Sequence, residues 1–385
     1  MKKIGVFCSF LLMFCFLLAP ISGTKVYAEE KQNLCQNCKA ALLYDAKSKT
    51  VIFAKDEHKR LPIASMTKLA TLMLVFEAID EGKLSEDTMV KISQSAADTE
   101  GSSAFLDAKS EYKLSDLIMT VIVASANDSA VALAETVSGS EVAFAKQMNK
   151  RAEQLGLSDT NFVNATGLPA VDHYSSAYDI SIIYSQICDH PIYKKYSKIW
   201  MTELVHPSGR KTDIVNTNRL IRSYDGCDGG KTGYTKEAQY CLTASATRGD
   251  MRLVGVVIGC DSSKERFNEM SDLFNYGFDN FENKVIISKD VPIQNIEIIG
   301  SKIKQIEVYP DEDFIKFLKR GEEFKYSIKY EIEKNKAPLS ECEVVGKLYI
   351  LDENNIVISE HDLVTHECVK AITYGEIIHK IFEMI

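Results

Sequence analysis

The sequence predicts an α/β domain, then a small all-β domain, then a terminal amphipathic helix. Three observations carry that. Strand-like pairs at Ala40–Tyr44 with Val51–Ala54, and at Tyr240–Thr247 with Met251–Gly259, bracket a long helical stretch. Beyond Asn283, short β-rich runs (Val285–Ser288, Ile296–Ile299, Lys304–Val308, Phe324–Ile332, Glu343–Leu351 and Ile356–Ser359) are separated by charged turns. The last apolar residues, Tyr374, Ile377, Ile378, Ile381, Phe382 and Ile385, recur at a helical spacing with Glu376, His379, Lys380 and Glu383 opposite.

In chain order, Lys2 and Lys3 precede an apolar stretch from Ile4 to Ala19, and Val26-Tyr27-Ala28 offers small residues at the −3 and −1 positions of a cleavage site. Residues 1–28 therefore read as a secretory signal peptide; an uncleaved anchor is the alternative, but the apolar stretch is short for a span. The domains follow as 29–283 for the α/β unit, 284–366 for the all-β unit and 367–385 for the final helix. That helix suits the membrane interface or a berth on the β domain equally well. Of ten cysteines, eight remain after cleavage. Cys35-x-x-Cys38 stands without a second pair, which suggests a local disulfide or two free thiols.

After the first hairpin, Pro62 leads into Ser65-Met66-Thr67-Lys68 and an apolar run from Leu69 to Ile79 whose one charge is Glu77. A run apolar on every side is a helix buried in a domain. Ser65 and Lys68 then share one face, with Ser65 in the first turn. A lysine whose amine is kept neutral can take a proton from that hydroxyl, and the helix N-terminus offers N–H groups to an oxyanion. Alone, the pair is more often a cap and a solvated lysine.

Two further stretches change that weighting. Ser125-Ala126-Asn127 falls between the apolar stripes Leu114, Leu117, Ile118, Val121, Ile122 and Val131, Leu133, Ala134, Val137. Small polar residues there suit a loop facing a cleft, although a simple cap has even odds. Lys231-Thr232-Gly233, expected at the start of a strand, pairs a cation and a hydroxyl that can bind a carboxylate. Its glycine lets a peptide approach as an extra strand. From Asp261 to Phe281 a helix carries Phe267, Met270, Phe274 and Phe278 on one stripe. Arg266, on another face, can reach the lysine strand or form a surface ion pair.

Composition excludes other classes. A net charge of −9, with no basic aromatic-laced segment, argues against a nucleic-acid partner. Seven histidines show no metal spacing, and neither a nucleophile elbow nor a phosphate loop occurs. No metal and no cofactor are expected.

Ser65-x-x-Lys68, Ser125-x-Asn127 and Lys231-Thr232-Gly233, in that order in a secreted chain, resemble the set of the penicillin-binding proteins and serine β-lactamases. The chain resembles a low-molecular-mass penicillin-binding protein, a serine-type D-alanyl-D-alanine carboxypeptidase, over its whole length. Tyr174-Ser175-Ser176-Ala177 and Lys231–Thr235 look like family stretches too. The resemblance implies a β-lactamase/transpeptidase-like mixed α/β sheet with a helical lobe across a cleft. It also implies Ser65 as nucleophile, Lys68 as base, Ser125 as proton relay and Asn127 as substrate holder. Lys231, Thr232 and Arg266 would bind the terminal carboxylate, with Gly233 beside them, and the N–H groups of Ser65 and Tyr234 would form the oxyanion hole. The implied partners are a peptidoglycan stem peptide ending in D-Ala-D-Ala, β-lactams, and the membrane surface through the C-terminal helix. The implied location is peripheral, outside the cytoplasmic membrane. Ala126 stands where β-lactamases carry Asp, and Asn216-Thr217-Asn218-Arg219 offers no arginine match to some relatives. A β-lactamase would need a fast deacylating base, and Glu153-Gln154-Leu155-Gly156-Leu157 lacks the closing Asn of that signature. An idle penicillin sensor or wall-binding protein would need no nucleophile.

Overall fold

The computed structural model describes residues 33–383. The signal peptide read in residues 1–28 and the last apolar position, Ile385, lie outside them.

Strands β1 (Ala40–Asp45) and β2 (Thr50–Lys55) form the expected hairpin. Every residue of β1 is buried, because strand side chains alternate and both faces are covered. Ala40, Leu42 and Tyr44 join the core under the helices, while Ala41 and Leu43 join a second core behind the sheet. A 3₁₀ turn, Ala64–Thr67, then leads into α1 (Lys68–Asp80), whose residues from Lys68 to Phe76 are all buried. Ser65 therefore sits in a 3₁₀ turn ahead of the α-helix, not in its first α-turn.

The next stretch is not continuously helical. Strands β3 (Met89–Lys91) and β4 (Glu111–Lys113), each exposed-buried-exposed, pair across a loop containing α2 (Gln94–Ala97). The helical lobe continues with α3 (Leu114–Ala124), α4 (Asn127–Ser138) and α5 (Glu141–Gln154). Ser176 caps α6 (Ala177–Ile187) by accepting from the Asp179 N–H, the capping contact its spacing predicts. There follow α7 (Pro191–Ser197), the hairpin β5 (Met201–Val205) with β6 (Lys211–Val215), and α8 (Leu220–Ser223).

Strands β7 (Cys227–Thr235), β8 (Gln239–Arg248) and β9 (Met251–Cys260) complete a five-stranded sheet of order β2-β1-β9-β8-β7. Each pairing is antiparallel, so helix and strand are mixed in the domain but strand directions are not mixed in the sheet. Central β9 is apolar throughout because Val254, Val256 and Ile258 face the helical core, and Leu253 and Val257 face α9 (Ser263–Asn280). That helix packs Met270, Phe274 and Phe278 behind the sheet, as its stripe predicts. Lys231-Thr232-Gly233 lies within the edge strand β7, which begins four residues earlier than a strand start at Lys231 would have it.

The cysteine expectation is corrected. Cys38 bonds Cys260, and Cys35 stays a buried thiol. The Lys39 N–H donates to the Ile258 carbonyl at 2.9 Å and the Asp261 N–H to the Asn37 carbonyl at 3.1 Å. The N-terminal turn thus extends the β1–β9 register and meets Cys260, a partner that local spacing could not reveal.

Strand β10 (Phe281–Ile287) leaves α9. With β11 (Gln294–Glu297), β12 (Gln305–Pro310), β13 (Phe314–Lys319), β14 (Ser327–Ile332), β15 (Val344–Leu351) and β16 (Val357–Thr365) it makes the all-β domain. Its larger sheet runs β11-β12-β16-β15-β14, and β10 pairs with β13, a strand the reading of β runs passed over. Helix α10 (Tyr374–Glu383) follows. Among the described residues, no helix is long and apolar enough to cross a membrane.

Candidate active site

The site lies where the 3₁₀ turn, the α3–α4 junction and the edge strand β7 meet. Gly233 packs so closely on the turn that a Cβ there would stand 2.7 Å from the Ile63 carbonyl oxygen and 3.3 Å from the Ser65 nitrogen. A side chain would push β7 off the serine turn. Gly167 has the same role on the other flank, its ideal Cβ position falling on the Ala64 carbonyl. Ala64 itself is held at φ +46°, a left-handed conformation that non-glycine residues adopt at a cost.

Lys68 Nζ lies 2.9 Å from Ser65 Oγ and donates to the Thr166 carbonyl at 2.8 Å. The side chain is completely buried. Burial drives its pKa down to about 7, against an opposing pull from the Asp128 carboxylate. At neutral pH a large share of this amine is therefore unprotonated, with a lone pair available to the Ser65 hydroxyl. Thr166 contributes through its main-chain oxygen, so side-chain patterns could not have found it.

Ser125 ends α3 in the left-handed region, φ +63°, which turns its hydroxyl out of the helix. Lys231 Nζ donates to Ser125 Oγ at 2.7 Å and to the Thr232 carbonyl at 2.8 Å. Lys231 is also buried, and its pKa falls well below the ordinary lysine value through desolvation first and the nearby Lys68 and Arg266 charges second. Asn127 donates from its backbone to Ser102 and from its side chain to the Glu100 carbonyl, leaving its buried Oδ1 with no partner. That oxygen is an acceptor ready for a donor from outside.

Thr232 hydrogen-bonds the Thr217 hydroxyl at 2.8 Å. Tyr234 is half exposed near the end of the same strand, its ring tilted against that of Tyr240 with centroids 4.5 Å apart. Arg266 reaches back from α9, as one of its two readings expected: Nη1 donates to the Gly233 carbonyl at 3.2 Å, and the guanidinium lies over the Tyr240 and Phe267 rings. The structure thus brings Ser65 to Lys68, Ser125 to Lys231, and Arg266 to Gly233.

Asp128 and His173 escaped the sequence reading. Buried Asp128 accepts from the Ala104, Leu106 and Ser129 N–H groups and from Ser103 Oγ, fastening the loop before α3 to α4. Next to Asn127 it looks like an ordinary first-turn acid. Buried His173 contacts Thr67 Oγ1 at 2.7 Å, and nothing in its sequence setting marks it. Among the described residues no group of His, Cys, Asp and Glu could hold a metal ion.

Residues 27–262 match the family model of D-alanyl-D-alanine carboxypeptidase, and residues 281–371 that of the penicillin-binding protein 5 C-terminal domain. The D-alanyl-D-alanine carboxypeptidase DacF of Bacillus subtilis is 36% identical over 355 residues, 91% of each chain. DacA of Haemophilus influenzae is 35% identical across 82% of this chain and 81% of its own. Among solved structures, penicillin binding protein 5 from Haemophilus influenzae superposes with a TM-score of 0.69 at 30% identity, covering 89% of this chain and 99% of that one. A peptidoglycan synthesis regulatory factor (PBP3) from Streptococcus pneumoniae gives 0.72 at 26%, covering 87% and 99%.

Proposed function

The chain belongs to the D-alanyl-D-alanine carboxypeptidase family and is a serine-type, penicillin-binding D-Ala-D-Ala carboxypeptidase, and we propose that its reaction runs through Ser65 with Lys68 as base. Ser65 Oγ attacks the carbonyl between the two D-alanines as Lys68 takes its proton. The Ser65 and Tyr234 N–H groups hold the oxyanion. When the C–N bond breaks, Ser125, hydrogen-bonded to Lys231, relays the proton from Lys68 to the departing D-alanine amine, which leaves Lys68 neutral again. Asn127 offers its free Oδ1 to an N–H of the stem peptide. Lys231, Thr232 and Arg266 bind the terminal carboxylate, and Gly233 lets the peptide backbone lie along β7. Water, deprotonated at Lys68, then hydrolyses the ester.

The observation that carries this reading is the buried amine 2.9 Å from the serine oxygen with a pKa near 7. Asn164–Pro169, the loop facing that amine, holds no carboxylate and gives it a carbonyl instead. A penicilloyl ester at Ser65, whose leaving amine stays attached and in the cleft, should therefore be hydrolysed more slowly than the peptide ester. The test is D-alanine release from a pentapeptide, with the mass of the penicillin adduct. Wild type should release D-alanine and gain one penicillin, and Ser65→Ala should do neither. Release by Ser65→Ala would sink the assignment, and rapid penicillin turnover would favour a lactamase.

Family members act on peptidoglycan outside the cytoplasm. The leader in residues 1–28 would take this chain there, and α10 would hold it peripherally on the outer membrane face. Support comes from α10, where Tyr374 is 79% and Phe382 74% exposed, apolar surface the β domain does not cover. Deleting residues 374–385, which leaves Val369 in the β-domain core, should move the enzyme from the membrane fraction to the soluble one with its activity kept.

A further inference from the structure

We propose that Thr217 contacts substrate and, paired with Thr232, determines recognition of the free carboxylate at the end of the stem peptide. The inference rests on the reading that this corner of the cleft binds that carboxylate.

Thr217 is a half-buried residue between two buried asparagines. Asn216 Nδ2 donates to the Ile199 carbonyl at 2.8 Å, and its Oδ1 accepts from the Asn218 N–H at 2.8 Å. Asn218 repeats the pattern, its Oδ1 accepting from the Leu220 N–H at 3.1 Å and its Nδ2 donating to the Gly229 carbonyl at 3.1 Å. Successive side-chain-to-backbone turns of this kind leave a segment little freedom. Two asparagines are thus spent on holding one small hydroxyl in place.

The place is the seam of the cleft. The Thr217 N–H donates to the Val123 carbonyl at 3.1 Å, two residues before Ser125, and its hydroxyl accepts from Thr232 Oγ1 at 2.8 Å, one residue after Lys231. One residue therefore ties the Ser125 loop to the carboxylate-binding strand. Of the two hydroxyl hydrogens, one is used within the pair. The other remains for the carboxylate: with Thr232 donating to Thr217 it is Thr217's, and Thr232 then takes part through the pair rather than as a second donor.

A neutral donor is the chemistry this corner can accommodate. Lys231 is already opposed by Lys68 and Arg266. Arg219, one position past Asn218, already adds to the positive charge on Arg266, and a hydroxyl supplies a hydrogen bond to a carboxylate without adding more.

The experiment compares kcat/KM for a pentapeptide ending in free D-alanine with that for the same peptide ending in D-alaninamide. Thr217→Val should lower the free-acid value about tenfold and the amide value less than about twofold, while Thr217→Ser keeps the wild-type preference. Equal losses on both substrates, as a merely structural role would give, or no loss on either, overturns the inference. Thr232→Val separates the levels. If it narrows the preference and Thr217→Val does not, the inference alone falls. If neither narrows it, the carboxylate reading of the corner falls as well. Penicillin labelling of each variant reports that the serine machinery is folded.

Discussion

The catalytic cleft and the β domain treat the same residue type in opposite ways. In the cleft Lys68 and Lys231 are buried without a carboxylate bonded to either amine, and desolvation pulls both pKa values down. In the β domain Lys347 stands at the surface of β15 between Glu360 and Asp362 of β16, and the two carboxylates push its pKa up. That domain's core is aliphatic, built on Ile296, Val308, Leu348, Ile350 and Leu363. Burying an amine without a counter-ion costs stability and makes a base; pairing it in water costs little and makes a lasting cation. The cleft is held against its own electrostatic cost by the cores on either side of the central sheet.

The sharpest way to break this contrast is Lys68→Met, a swap of similar shape without the amine. It should cut D-alanine release by about three orders of magnitude, the scale of a lost general base. It should also leave the protein at least as stable, since a buried amine with no bonded carboxylate is removed. An inactive but less stable variant would mean that the amine is not paying a burial cost. The pH dependence follows. Below about 7, kcat/KM should fall tenfold per unit as Lys68 takes up its proton, and above that it should level off. Stability has a different window. Between about 7 and 10.5 the unfolded chain holds a proton on Lys68 that the folded chain lacks, so stability rises with pH there and this contribution is flat below.

His173 tests how far the cleft's control of geometry extends. Its Nδ1 accepts from the Val163 N–H at 3.1 Å, so the ring hydrogen is on Nε2 and donates to Thr67 Oγ1, which donates in turn to the Ala64 carbonyl at 2.9 Å. That chain ends on Ala64, the left-handed residue next to Ser65. His173→Ala should lower kcat about tenfold with little change in KM, and His173→Gln, which keeps a donor for Thr67, should recover most of it. Burial lowers the histidine pKa to about 4. This contribution to stability is complete above pH 6.5 and is lost as pH falls to about 4.

A smaller effect on activity is expected from the disulfide. Cys38–Cys260 closes 222 residues, and beside it Asn37 donates to Glu269 on α9, the helix that carries Arg266. Replacing both cysteines by alanine should cost about 3–5 kcal/mol in urea unfolding. KM should rise roughly twofold to threefold as Arg266 loosens, with kcat unchanged. A change in kcat instead would place the tether's influence on Ser65.

How much of this was legible in the sequence divides along the same line. Ser65, Lys68, Ser125, Asn127 and the Lys231–Gly233 strand could be read because reactive side chains at short spacings leave a pattern. The buried α1, the stripe of α9 and most β-domain strands could be read because burial imposes a period. Groups acting through main chain or through distant partners left no such trace: the Thr166 carbonyl, the Cys38–Cys260 link, the His173 relay. Strand β13, Phe314-Ile315-Lys316-Phe317-Leu318-Lys319, was passed over because its half-buried face lacks clean alternation. The short β3–β4 and β5–β6 hairpins were hidden because three to five residues carry little periodic signal.

Lys347→Met gives the smallest effect and completes the contrast. Lys347 is ion-paired at 2.7 Å to Asp362 and 3.2 Å to Glu360, contacts that would look decisive in a drawing. In water the attraction is screened, and ordering a long side chain offsets most of it. The variant should release D-alanine at the wild-type rate and unfold within measurement error of wild type, with any small difference vanishing in 1 M salt. A clear loss of activity would show that the β domain signals to the cleft through its surface charge. The division between a domain that positions and a domain that reacts would then have to be abandoned.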